Sequence, residues 1–365
     1  MKEEIAKRVV DHLNKFPIGF PKAFNNDEWK MLDMANVITD EEGELMTKLM
    51  PYPEHIDAIA RRTGMGKEIL LRLLDGLMHK CWVVRDGSKE DGKYLLDAWG
   101  PGTYERQGRY FTTEYMQYIG NLGTQETLER IYGRPGMTPT YRVIPVGDSV
   151  STDSRAIPAD HFNFKMIVEG ADAIAVTDCV CRSKVKILAG AHCGKPTEGV
   201  CMYFGPYAKT MVEIGVARAV DKEEALRIGK MCEDAGLIHT ATTSEAPMFV
   251  CNCCNCCCDN LLPLKMGLDY TLGKASVYAE IDGEQCTGCE ECVAACFFGA
   301  IAMNHDDGKA VLTVGKCFGC GQCVKSCPID AISLAKRDEV FDPPRTWQDF
   351  LRLRAKETGN DEFFR

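Results

Sequence analysis

At 365 residues the chain is too long for one typical domain, so two or three units, each able to bury a core, are expected. A net charge of -10 at pH 7 gives the whole chain no electrostatic signature for nucleic acid or an anionic membrane, which disfavours nucleic acid as a partner. The opening MKEEIAKRVVDHLNKF lacks the apolar stretch of a secretory signal, and no apolar run reaches the roughly 20 residues of a membrane-spanning helix, so a cytoplasmic protein without membrane insertion is expected.

From about residue 40 to 110, EEGELMTKLM, PEHIDAIARRTG and GKEILLRLLDGLMHKCW read as three short helices with apolar residues three and four apart. Two strand-like runs around a polar turn follow in VVRDGSKEDGKYLLDA. Three helices and then a hairpin is the order of a winged helix. Residues 1–110 are therefore expected to be a winged-helix-like domain. Their 17 basic and 19 acidic side chains suit protein docking better than phosphate binding.

Residues 111–275 carry a cysteine-rich mixture of helix and strand. RPGMTPTYRVIPVGDSVSTDSRAIP, with four prolines, reads as a long extended connection. ADAIAVTDCVCR reads as a strand entering a metal loop. DKEEALRIGKMCEDAG reads as a helix with a capping box from Asp221 to Glu224 and a stop at Gly236. Residues 276–335 form a repeat, and 336–365 end in one amphipathic helix behind a proline stop, which is expected to pack on the body. The expected fold class is thus α+β and multidomain, ending in the repeat domain and a tail helix.

Twenty cysteines in such a chain do not read as a disulfide scaffold, and thiolates for metal are the better reading. Cys81 and Cys232 stand apart in helical patterns and are expected to be buried packing residues. The repeat carries Cys286, Cys289, Cys292, Cys296 and then Cys317, Cys320, Cys323, Cys327, Pro328, offset by 31 residues. This CxxCxxCxxxC run, twice over, resembles the bacterial two-cluster ferredoxins. In that family three cysteines wrap one cubane and the fourth reaches across to the other. The resemblance implies one [4Fe-4S] cluster on Cys286, Cys289, Cys292 and Cys327, and a second on Cys317, Cys320, Cys323 and Cys296. Phe297 stands where that pattern has a proline, which alters the loop without removing a ligand. Gly288, Gly319 and Gly321 fit both close approach of backbone amides to a cluster and simple turn geometry.

Ten further cysteines lie upstream: Cys179, Cys181, Cys193 and Cys201, then Cys251, Cys253, Cys254, Cys256, Cys257 and Cys258. If the second group is extended, alternation puts Cys251, Cys253 and Cys257 on one face and Cys254, Cys256 and Cys258 on the other. A fourth ligand must then come from elsewhere, and Cys179 and Cys181 are the expected donors. Ten thiols suffice for two four-cysteine clusters with two left over, or for one larger cluster. Their softness favours at least one further iron-sulfur cluster over a zinc or copper store or metal-free redox thiols. His192 and His239 are additional ligand candidates, each weighed against a satisfied polar residue. Arg182 is a donor to a cluster or a substrate anion, or else half of a salt bridge.

As a whole, the chain resembles 4Fe-4S ferredoxin-type proteins of anaerobes, in which a helical region precedes CxCR, a CxxPxExC-like loop, CNCCxCCC and a two-cluster tail. The matching stretches are CVCR at 179–182, CGKPTEGVC at 193–201 and CNCCNCCC at 251–258. The CCG signature of heterodisulfide-reductase-like subunits is absent. No GxGxxG or GxxxxGK[ST] motif offers a nucleotide site. The leading expectation is an electron-transfer protein, a subunit or dedicated donor or acceptor of a low-potential anaerobic oxidoreductase, with a redox protein as partner. The alternatives are a redox-sensing DNA-binding regulator and a cluster or metal carrier.

Overall fold

The computed structural model describes residues 1–147 and 163–364, apart from positions 24, 36, 121, 192 and 340. Helix Glu3–Leu13 buries Ile5, Val9, Val10 and Leu13, and helix Lys67–His79 buries Leu70, Leu73, Leu74 and Leu77. Both patterns turn one apolar stripe inward. Helices Asp40–Met46 and Ile56–Thr63 lie between them in sequence. β1 (Glu54–His55), β2 (Val83–Asp86) and β3 (Lys93–Leu96) form an antiparallel sheet in the order β1-β3-β2.

Trp82, Trp99, Tyr104, Tyr115, Tyr141, Tyr203 and Phe249 belong to one apolar core, which runs unbroken across position 110. Cys81 and Cys232 are both fully buried. Tyr141, Tyr203 and Phe249 of this core belong to a seven-stranded sheet. Its strands are β4 (Tyr141–Ile144), β5 (Ile174–Thr177), β6 (Cys201–Phe204), β7 (Arg218–Val220), β8 (Ile238–Thr242), β9 (Phe249–Cys253) and β10 (Leu272–Gly273). They are ordered β10-β4-β8-β9-β6-β5-β7, and every pairing is antiparallel except β10 with β4. The connection expected around residues 134–158 contains β4, and its part from 148 onward lies outside the described residues.

Asp221 caps helix Lys222–Asp234 by accepting the Glu224 amide at 2.7 Å. The return half of the expected capping box gives way to an ion pair, because Glu224 accepts both terminal nitrogens of Arg218 at 3.2 and 2.7 Å.

In the last third, β11 (Val277–Ile281) pairs with β14 (Ile332–Lys336), and β12 (Ile301–Met303) pairs with β13 (Ala310–Leu312), all antiparallel. The two halves of the repeat thereby close on each other, as in ferredoxins. Helix Trp347–Thr358 then returns to the body, burying Trp347, Phe350 and Leu351 while Glu357 accepts the Thr138 hydroxyl at 2.7 Å. No helix among the described residues is long and apolar enough to cross a membrane.

Candidate metal centres

Each half of the repeat runs through a tight loop into a one-turn helix, Glu291–Ala295 and Gln322–Ser326. Gly288 and Gly319 hold φ at 74° and 76°. A Cβ on Gly288 would stand 2.3 Å from the Gly308 carbonyl oxygen, and one on Gly319 would stand 2.2 Å from that of Val277. Only glycine meets both demands. Glu290 takes φ 66° where the second repeat has Gly321 at 81°, so the turn is the same but one copy carries a side chain.

These loops bring the eight repeat cysteines into two sets. Cys286, Cys289, Cys292 and Cys327 line one cavity backed by Ile281 and Ile332. Burial pushes the Cys292 thiol up, and Cys286, Cys289 and Cys327 add to the effect. On the other side burial pushes Cys320 up to about 12, with Cys296 and Cys317 contributing. Cys323 is raised by burial and then by Cys320, Cys317 and Cys296. Thiols that suppress one another's ionisation are released by a cation, the condition a cluster site requires. Cys296 Sγ accepts the Ala300 amide at 3.2 Å and Cys327 Sγ accepts the Ala331 amide at 3.3 Å, the same orienting contact in both halves.

The two sets face different surroundings. Cys289 is exposed, whereas Cys317, Cys320 and Cys323 are each 8 % exposed. The second half seats on the middle region. Val146 N donates to Cys320 O at 3.0 Å, and Gln322 Nε2 donates to Leu237 O at 2.6 Å and Glu233 O at 3.3 Å. Lys325 pairs with Asp234.

The ten middle cysteines divide six and four. β9 ends at Cys253, and a turn over residues 255–257 follows. Alternation therefore stops at Cys253 and does not extend to Cys258. The turn carries Cys254, Cys256 and Cys257 together to meet Cys193, while Cys258 swings back to donate to Cys253 Sγ at 2.9 Å. Cys179 and Cys181 are likewise not on a strand. β5 stops at Thr177, Cys179 caps helix Val180–Ala189 and Cys181 lies in its first turn. Cys181 neighbours Cys258, and Cys179 neighbours Cys181, while Cys258 meets Cys253 and Cys257 meets Cys254 and Cys256, which corrects the face partition expected from extended geometry. Hydrogen-bonding neighbours run in the order Cys179, Cys181, Cys258, Cys253, Cys251, Cys201.

Within this string Cys253 is held below the usual thiol range. Cys251 and Cys258 donate to it and outweigh its burial. Thr240 Oγ1 lies 3.3 Å from the same sulfur, and the Asp259 amide donates to Cys181 Sγ at 3.4 Å.

Arg182 sits between the two groups and is fully buried. Its Nη1 donates to Asn252 O at 3.1 Å, whereas Nε and Nη2 have no hydrogen-bond partner. Among the described residues no carboxylate pairs with it. Burial lowers its pKa, but Cys179, Cys254 and Cys253 outweigh that and raise it. A buried guanidinium needs an anion, and here sulfur is what is available. The arrangement fits a bound metal or cluster, which would keep those sulfurs ionised.

His239 is not aimed at sulfur. Its Nδ1 meets Asn252 Oδ1 at 2.7 Å and its Nε2 meets Glu233 Oε1 at 2.9 Å, so it is a satisfied core residue. His192 lies outside the described residues. Sequence reasoning passed over Lys184 and Thr240. Lys184 is three residues beyond Cys181 on the same helix, paired with Asp259. That spacing is readable from the sequence, but the cross-strand neighbour Thr240 is not.

Fold and site together define a metal-binding protein of the 4Fe-4S type with a ferredoxin-like end. A family model described as a 4Fe-4S dicluster domain matches residues 279–334. No curated protein and no solved structure matches the chain.

Proposed function

We propose that the chain is an iron-sulfur electron-transfer protein, a subunit or dedicated partner of a low-potential oxidoreductase. Cys286, Cys289, Cys292 and Cys327 would hold one [4Fe-4S] cluster, and Cys317, Cys320, Cys323 and Cys296 a second. A further cluster would be held by the string from Cys179 to Cys201. Such clusters supply one-electron exchange when bound. The observation that carries the reading is the crossed grouping of cysteines, each trio meeting the fourth cysteine of the other repeat. The exposed Cys289 edge, beside Glu290 and Glu291, is where a redox protein would approach. The buried second set is seated on residues 233–237 of the middle region, which is where electrons from that edge would pass to the middle thiols.

The regulator reading is disfavoured by charge. Lys67 pairs with Asp57, Arg72 with Glu41 and Lys80 with Glu42, which leaves the would-be recognition helix little cationic surface for phosphate. Anaerobic purification with iron and sulfide quantification and EPR tests the proposal. Cys296→Ala is expected to remove the signal of the second cluster and about four irons per chain. Unchanged iron in that variant, or a colourless anaerobic preparation, refutes the assignment.

A further inference from the structure

The four cysteines left outside the string have a different geometry from all the others. Cys193 Sγ and Cys254 Sγ are 3.8 Å apart, Cys256 Sγ and Cys257 Sγ are 3.7 Å apart, and all four sulfurs lie within 4.8 Å of one another. Four sulfurs placed tetrahedrally at about 2.3 Å from a single ion lie about 3.8 Å from each other. A cubane instead joins each thiolate to a different iron and spreads the sulfurs outward. Among the described residues, no three of the repeat cysteines draw their sulfurs within the same 4.8 Å. We propose that Cys193, Cys254, Cys256 and Cys257 bind one four-coordinate divalent cation, zinc or iron, without inorganic sulfide. The proposal goes beyond the electron-transfer reading and does not depend on it.

The surroundings are those of a closed thiolate site. Four thiolates around a divalent ion carry a net charge of about −2. Arg182, whose Nε and Nη2 have no hydrogen-bond partner, supplies a buried counter-charge.

The loop that delivers Cys193 is fastened independently. Cys179 N donates to Thr197 O at 2.8 Å, Gly199 N donates to Asp178 Oδ1 at 3.0 Å, and Lys195 Nζ donates to Ala235 O. Cys193 and Cys256 are exposed, so a cation has a way in, while Cys254 and Cys257 are buried. Bound there, the ion ties the loop to a turn 61 residues further on. It also holds four thiols apart from the six in the string.

The test uses the full chain, purified anaerobically, with zinc, iron and acid-labile sulfide measured together. In the doubly substituted Cys193→Ser, Cys256→Ser protein, changed only at exposed positions, the expected loss is one metal atom per chain with sulfide unchanged. Loss of iron and sulfide in cubane proportion, or no loss at all, overturns the proposal. Zinc-edge X-ray absorption and Mössbauer spectroscopy on the unmodified chain need no variant. A four-sulfur zinc site or a lone four-sulfur ferrous site supports the proposal, and the edge that responds identifies the ion. Iron found only in clusters, together with no four-sulfur zinc, overturns it. Because the readout is metal unmatched by sulfide, it can fail while the ferredoxin clusters stand, and the reverse.

Discussion

Replacing Arg182 by methionine tests whether the middle sulfurs are ionised, because the sign of the stability change depends on their charge. The guanidinium is 0 % exposed, spends one donor on Asn252 O at 3.1 Å and leaves Nε and Nη2 without partners. In chelator-treated protein at a pH low enough to protonate every thiol, the depressed Cys253 included, Arg182 is a buried cation lacking a counter-ion. Exchanging it for an apolar side chain should then be neutral or stabilising by up to about 4 kcal/mol. With metal bound, the same exchange strips the cation from buried thiolates and should cost about 3–5 kcal/mol. Urea denaturation of both proteins, loaded and stripped, under anaerobic conditions and followed by tryptophan fluorescence, reads the two values. Destabilisation of equal size in both forms would mean that Arg182 only fills space, and the charge argument for the middle sulfurs would fall.

Gly319→Ala combines a left-handed backbone with a Cβ 2.2 Å from Val277 O and should cost about 2–5 kcal/mol, whereas Gly315→Ala meets nothing within 4 Å and should be nearly neutral. Equal denaturation midpoints for the two variants would contradict this. Gln322→Ala removes the 2.6 Å donor of the buried Leu237 O, while Glu233 O keeps the Gly236 amide, and should cost about 1–3 kcal/mol and speed limited proteolysis between residues 276 and 335. Burial raises the Glu233 pKa, but the His239 bond and charge and the Gly147 amide outweigh it and hold the carboxyl below its usual range. A folded pKa below the unfolded one gives stability that is fully present above about pH 4.3 and lost as pH falls through the folded value. The advantage of the native protein over Glu233→Gln, measured by urea midpoints on chelator-treated protein, should therefore shrink on acidification. A gap independent of pH would count against it.

The trio of cysteines in each repeat was legible because its geometry is local. Two residues between successive cysteines let a short loop present three thiols to one point. Gly288 and Gly319, at matching places in the two copies, permit the backbone turn in both. The buried stripes of helices Glu3–Leu13 and Lys67–His79 follow from periodicity in the same way. The Asp221 cap follows from sequence spacing, but its return bond does not form, since Arg218 on β7 takes the Glu224 carboxylate.

The middle cysteines show the limit. Their identity announced soft-metal chemistry, but their partition into six and four depends on where β9 stops, and strand alternation says nothing past that point. It also depends on Cys193 arriving from a loop 61 residues away, held by bonds from Cys179 N to Thr197 O and from Gly199 N to Asp178 Oδ1 that no local pattern encodes. What the sequence determined alone was which atoms could bind metal and, in the repeat, at what spacing. Tertiary structure decided which sulfurs meet and how closely, because a ligand set is a set of distances between remote segments, and only packing brings those segments together.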